Sequence, residues 1–200
     1  RALLPLSLAI KETDKHDFPI SGILPLYLNI AKRVTVVAAD LVEEGIFDVE
    51  TCAAMVEAVE SGIEAYLCPV HYAAWALSVR NRAKYRALAF SSNDDERALH
   101  ARINAALMDV CEKVTKRHFR DKDNVDELVA RVKQELTSYQ SHHPGFERAT
   151  PTDMDVLVPE SLWEAYGGSG LLKIVAVIIL TMSCSASNIE RLHKLYSLIH

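Results

Sequence analysis

Three adjoining stretches near the end of the chain decide its fold: LWEAYG (residues 162–167), LLKIVAVIIL (171–180) and SCSASNIER (183–191). Leu171 to Met182 is the most apolar part of the sequence and holds one charge, that of Lys173. At about a dozen residues it is well short of the roughly 20 that a membrane-spanning helix needs. It therefore predicts a buried core helix, and because most of its sides are apolar, other helices or a partner subunit must cover it.

Helical periods precede this segment along most of the chain. Apolar spacing predicts helices over 25–43, 48–63, 70–88, 98–118 and 124–140, followed by 160–166, 170–182 and 187–200. Residues 141–159 lose the period and hold three prolines, which predicts a functional loop or an inter-domain linker. Only 7 Gly and 7 Pro occur in 200 residues, so tight turns are few. The sequence predicts an all-α fold with little or no sheet of its own.

The composition excludes several classes of protein. With 50% hydrophobic and 24% charged residues, the chain is too apolar to be disordered and too charged for a polytopic membrane protein. A net charge of -5 argues against a main DNA-binding surface but not against a small basic patch. Six basic residues lie at the end of the 98–118 helix. Because cations stabilise the C-terminal end of a helix dipole, a solvated helix terminus is a better interpretation of them than a phosphate contact. They are Lys113, Lys116, Arg117, His118, Arg120 and Lys122.

Cysteine and histidine spacing predicts neither disulfides nor a metal site. Cys52, Cys68, Cys111 and Cys184 lie far apart, which is typical of buried thiols in a reducing compartment. Cys68-x-x-His71 has the spacing of a ligand pair, but a second pair at a partner distance is missing. We therefore expect a soluble intracellular protein without a bound metal. The start at Arg1 suggests a chain cut from something longer.

The serine-rich stretch after the apolar helix reads locally as a helix start. Ser187-Asn188-Ile189-Glu190 has the spacing of a capping box, in which the serine and the glutamate each accept a backbone N–H of the other. That structural role for Ser187 and Glu190 explains the spacing without any catalysis.

The ordered set of motifs nevertheless resembles the C-terminal part of the hAT superfamily of DNA transposases. Members end with W-x-x-Y-G, an apolar L-x-x-x-A-x-x-x-L helix, C-S-S-S-x-x-E-R and I-H. Upstream, PVHYAAWAL (69–77) resembles the family's P-L-H-A-A-x-[YF]-x-L, and Tyr139 with Gly145-Phe146 resembles its Y…G-x-F. The positions matching the end of the family are Trp163, Tyr166-Gly167, Leu172, Ala176, Leu180, Cys184 to Ser187, Glu190-Arg191 and Ile199-His200.

This resemblance implies a helical fragment of a ribonuclease-H-like transposase. In intact members three carboxylates bind two divalent metals, and Glu190 matches the third acid. The other two acids would lie upstream of Arg1, so we expect no catalysis and no cofactor here, with Mg²⁺ or Mn²⁺ only in an intact parent protein. The family's Arg-Trp pair before the P-L-H stretch is replaced by Glu60-Ser61-Gly62-Ile63. The resemblance also implies a nuclear location, and DNA contact only in the context of the parent.

The sequence thus predicts a dimerisation module, with four parts. They are a segment of the transposase insertion (1–93), paired long helices (94–140), a loop or linker (141–159) and a truncated C-terminal dimerisation region (160–200). The alternative is the C-terminal part of an active transposase whose catalytic half lies upstream. A homo-oligomer through the C-terminal helices is expected, and no membrane association. The expected dimerisation and core residues are Trp163, Leu172, Val175, Ala176, Ile178, Ile179, Leu180, Leu192, Leu195 and Ile199.

Overall fold

The computed structural model describes residues 19–141 and 145–182, and every regular element within these ranges is a helix. The prediction of an all-α fold is confirmed for them. Contacts divide the chain into two compact units, whose described residues are 19–68 and, with the gap at 142–144, 69–182. Each unit is described separately below.

The first unit consists of two helices joined by a short turn. After a 3₁₀ turn at Ile20–Gly22, helix α1 spans Ile23–Glu43 and helix α2 spans Val49–Tyr66. Helix α1 buries one stripe at three- and four-residue spacing, including Tyr27, whose ring stacks on Tyr66 with 4.8 Å between centroids. Asp48 caps α2 by accepting a hydrogen bond from the Thr51 amide at 2.6 Å, as its position before the helix predicts.

By length and composition alone, one segment of the described chain could cross a membrane. Ile20–Glu43 has a mean hydropathy of 1.3 over its most apolar window. The core helix of a water-soluble protein passes the same test, and 39% of this window is buried inside the protein.

The second unit packs its helices around helix α3 (Pro69–Leu77). The others are α4 (Arg82–Ala89), α5 (Asp94–His118), α6 (Val125–Ser141), α7 (Pro151–Val156), α8 (Pro159–Tyr166) and α9 (Leu171–Leu180). Every residue of α3 from His71 to Leu77 is buried, and its alanines at 73, 74 and 76 permit close approach by α5. We expected a boundary between residues 93 and 94. The contacts instead divide the chain after Cys68, because α3 and α4 both pack on α5.

The prediction of one continuous helix over 70–88 was wrong. Ser78 is extended, with ψ of 116°, so α3 ends at Leu77 and a 3₁₀ turn (Val79–Asn81) leads into α4. Side chains take over the carbonyls that the break exposes: the nearby Asn81 amide donates to Trp75 O at 3.2 Å, and Tyr139 and Trp163, described below, donate to the carbonyls of Ala76 and Leu77. The two aromatic partners lie far away in sequence, so the apolar period of the segment cannot indicate them.

The described part of the expected 141–159 loop contains regular structure. A 3₁₀ turn spans Phe146–Arg148, and α7 follows Thr150, which forms a capping box with Asp153. Both sides of this segment belong to the second unit, so it does not link two domains. Helix α7 has only six residues, too few for apolar periodicity, although Thr150-Pro151-Thr152-Asp153 did carry the local start signal.

Candidate interaction surface

The end of α3 is held by three aromatic side chains from distant parts of the second unit. Trp163 donates its indole N–H to Leu77 O at 2.7 Å, and the Tyr139 hydroxyl donates to Ala76 O at 3.0 Å. The two rings lie 5.0 Å apart, and the Phe146 ring lies 4.9 Å from that of Trp163. Burial raises the pKa of the Tyr139 hydroxyl, so it stays a hydrogen-bond donor. This aromatic cluster fixes α8 and the end of α6 against α3.

Helix α9 packs its inner face into the same core. Most of the residues we expected in the dimerisation region are covered by the chain's own helices, since α9 contacts α3, α5, α6 and α8. Lys173, at the surface, donates to Glu164 O at 2.8 Å, near the end of α8. The buried residues of the predicted set are Trp163, Leu172, Val175, Ala176, Ile179 and Leu180.

The opposite side of α9 stays uncovered in the described chain. Ile174 is 40% exposed and Met182 is 38% exposed, with Ile178 partly exposed between them. Ile174 and Ile178 lie one helical turn apart, and Met182, just beyond the end of α9, lines the same cleft as Ile178; we call these three residues the α9 outer face. Exposed apolar residues scattered singly need no explanation, whereas these three lie together, which makes this face a candidate interaction surface.

A basic cleft adjoins the α9 outer face. It measures about 470 Å³ and lies between the C-terminal end of α5 and the end of α9. The Arg117 side chain has no hydrogen bond or ion pair within the described residues, and the Arg120–Asp121 pair is long, at 3.7 Å, and exposed. The predicted cation cluster is therefore partly neutralised, since Lys113 and Lys116 pair with Asp109 and Glu112. The cleft is lined by Val114, Arg117, His118, Arg120, Asp121, Ile178 and Met182.

A carboxylate from another helix caps α9. Glu135 of α6 accepts a hydrogen bond from the Leu172 amide at 2.8 Å, placing a negative charge at the positive end of α9. Gly170 makes room for it, because a Cβ at this position would lie 2.4 Å from the carboxylate oxygen. Sequence reasoning missed this cap, since Glu135 and Leu172 are 37 residues apart.

We expect Gly170→Ala and Glu135→Ala to destabilise the protein by about 1 kcal/mol each, the usual contribution of a helix cap. Gly170→Ala acts by displacing the Glu135 carboxylate, so the two effects should not add. A double-mutant cycle by urea denaturation measures this coupling. Gly62→Ala, in open space on α2, serves as control and should be neutral or stabilising. Additive losses in the double variant would contradict the proposed displacement.

A polar network that the sequence did not indicate lines a second cleft, of about 450 Å³. The Gln140 side-chain amide donates to the Tyr85 hydroxyl and to Asn104 Oδ1, both at 2.8 Å. Burial raises the pKa of Tyr85, and the His100 ring stacks on its ring at 5.0 Å. The network joins α4, α5 and α6, and thereby fixes the register of these three helices.

Five of the expected residues lie outside the described part of the chain. They are Ser187, Glu190, Leu192, Leu195 and Ile199, so the capping box and the acid matching the family's third carboxylate stay predictions. Within the described residues, no group of three or more His, Cys, Asp or Glu side chains could hold a metal ion. Cys52 and Cys111 are buried as expected, whereas Cys68 is exposed.

His71, in the first turn of α3, is buried, and this burial lowers its pKa to about 4. The unfolded chain binds a proton near pH 6.5, so stability should fall as the pH drops from 6.5 towards 4. By pH 5 the free energy of unfolding should have fallen by at most about 2 kcal/mol through this group. Urea denaturation of the wild type and His71→Gln between pH 7.5 and 4.5 measures it, because carboxylate effects common to both proteins cancel. Parallel pH profiles would show that His71 contributes nothing.

Comparison of the chain with protein-family models, curated proteins and solved structures finds no match.

Proposed function

We propose that this chain is a self-associating module from the C-terminal part of a hAT-type, transposase-like protein, and that it does not itself cleave or join DNA. The observation that carries self-association is the α9 outer face. After the chain's own helices have buried the inner face of α9, Ile174, Ile178 and Met182 still form an apolar stripe next to a cleft. A partner that covers such a stripe removes apolar area from water, which stabilises the contact by about 25 cal/mol for each Å² buried.

The hAT part of the proposal rests on the ordered motifs of the sequence. The segments that carry them are distant in sequence, yet they meet in one core: the end of α3 receives hydrogen bonds from Trp163 and Tyr139. Gly167 is required there, because a Cβ on it would lie 2.5 Å from Trp163 O. A shared packing unit explains why these residue types occur together. A ribonuclease-H-like origin remains part of the proposal.

Sedimentation velocity of the wild-type chain over a concentration series tests the proposed function. We expect a species heavier than 22.3 kDa at tens of micromolar, dissociating on dilution. Ile174→Asp should abolish it while the chain stays folded, because Ile174 is exposed and its loss opens no cavity. A monomer at all concentrations would contradict self-association.

A further inference from the structure

Charge is distributed very unevenly along the chain. Residues 34–79 contain eight carboxylates and not one Lys or Arg. Four of the eight lie within residues 43–50, where α1 turns into α2; we call this segment the acidic turn. All of its residues are exposed. These carboxylates lie in the first unit, whereas the residues that line the basic cleft belong to the second.

Two large apolar side chains project from the middle of the acidic turn. Ile46 is 55% exposed and Phe47 is 46% exposed. The turn is ordered by backbone hydrogen bonds, with the amides of both residues donating to Leu41 O at 3.0 and 3.3 Å, and Gly45 adopts a φ of 68° that allows the reversal. Because the backbone of this turn is already held in one conformation, little conformational entropy is lost when Ile46 and Phe47 contact a partner.

The basic cleft has the complementary chemistry. Its lining combines the apolar side chains of Val114, Ile178 and Met182 with the cations Arg117 and Arg120, and Asp121 is the one acid among the lining residues. Two copies of this cleft facing each other would bring like charges together, which opposes such a contact. A surface that is apolar at its centre and acidic around it would bury the same stripe with the charges paired.

We infer that the acidic turn of one copy docks in the basic cleft of a second copy, with Ile46 and Phe47 against the α9 outer face and Glu43 and Glu44 near the two arginines. This inference rests on the proposed self-association and names its two contacting surfaces. The contact joins two different surfaces, so it forms a closed pair when reciprocal and a longer assembly otherwise.

A mixing experiment with the full chain tests this inference. The turn variant carries Glu43→Lys and Glu44→Lys, and the cleft variant carries Arg117→Glu and Arg120→Glu. Each alone should bind itself at least about 10-fold more weakly and sediment as a monomer where the wild type associates, because the turn loses its net negative charge in one variant and the cleft loses both arginines to carboxylates in the other. A 1:1 mixture should restore the heavier species, since each variant supplies the complement of the other.

Matched reversals elsewhere separate local from overall charge effects. Glu57→Lys with Glu60→Lys on α2, and Arg131→Glu on α6, change exposed charges outside both surfaces and should leave association unchanged. Equal loss in these controls, or failure of the mixture to restore association, would overturn the inference. If both variants associate normally while Ile174→Asp does not, the docking inference falls and the proposed function stands. A wild type that is monomeric throughout removes both.

Discussion

Trp163→Ala should lower the free energy of unfolding of the second unit by about 3–5 kcal/mol, the usual loss on truncating a buried tryptophan. The side chain is fully buried and contacts the rings of Tyr139 and Phe146. Its indole N–H also donates to the carbonyl of Leu77, the last residue of α3. Removing it therefore opens a cavity and leaves a buried carbonyl without its donor. Urea denaturation followed by far-UV circular dichroism measures the loss.

Trp163→Phe separates the two contributions. Phenylalanine fills much of the cavity but cannot donate, so the loss should be smaller, about 1–3 kcal/mol from the unpaired Leu77 carbonyl. Phe90→Ala is the control, since Phe90 is almost fully exposed and its removal should be close to neutral. A Trp163→Ala variant as stable as the wild type would show that the aromatic cluster does not hold α3 and α8 together.

Gly167→Ala should be the second most destabilising substitution, by about 1–3 kcal/mol as for an overpacked core. Its φ of -72° suits any residue, so the penalty is steric and not conformational. The added Cβ would lie 2.5 Å from Trp163 O and 2.8 Å from Trp163 Cε3, a backbone atom and a buried ring atom that cannot move aside. Thermal denaturation checks it, and a melting temperature equal to the wild type's would contradict the steric argument.

The sequence predicted most of the helices because their apolar periods are local. Helix α5 begins at Asp94 and ends at His118, close to the predicted bounds, with three acids in its first turn and three cations in its last. The break at Ser78 and the cap of α9 by Glu135 could not be predicted, since each depends on a partner dozens of residues away. Helix α7 was missed for a different reason: six residues are too short to display a period.

The sequence pointed to the segment that carries the proposed interaction surface, but not to the individual residues. An apolar stretch such as Leu171–Leu180 shows that most sides of a helix must be covered, yet it does not show which side the protein's own core takes. The core takes Val175, Ala176 and Ile179, which leaves Ile174 and Ile178 on the outside. The neighbouring cleft requires the ends of α5 and α9 to lie together, and only the fold supplies that information.

The most direct test of self-association through α9 compares two single substitutions by sedimentation velocity at the same protein concentration. Ile174→Asp places a charge on the α9 outer face, and Val156→Asp places the same charge on α7, at a valine that is 73% exposed. Circular dichroism should show both proteins folded. We expect Val156→Asp to associate like the wild type and Ile174→Asp to sediment as a 22.3 kDa monomer. Identical sedimentation of the two folded variants would contradict self-association through the α9 outer face.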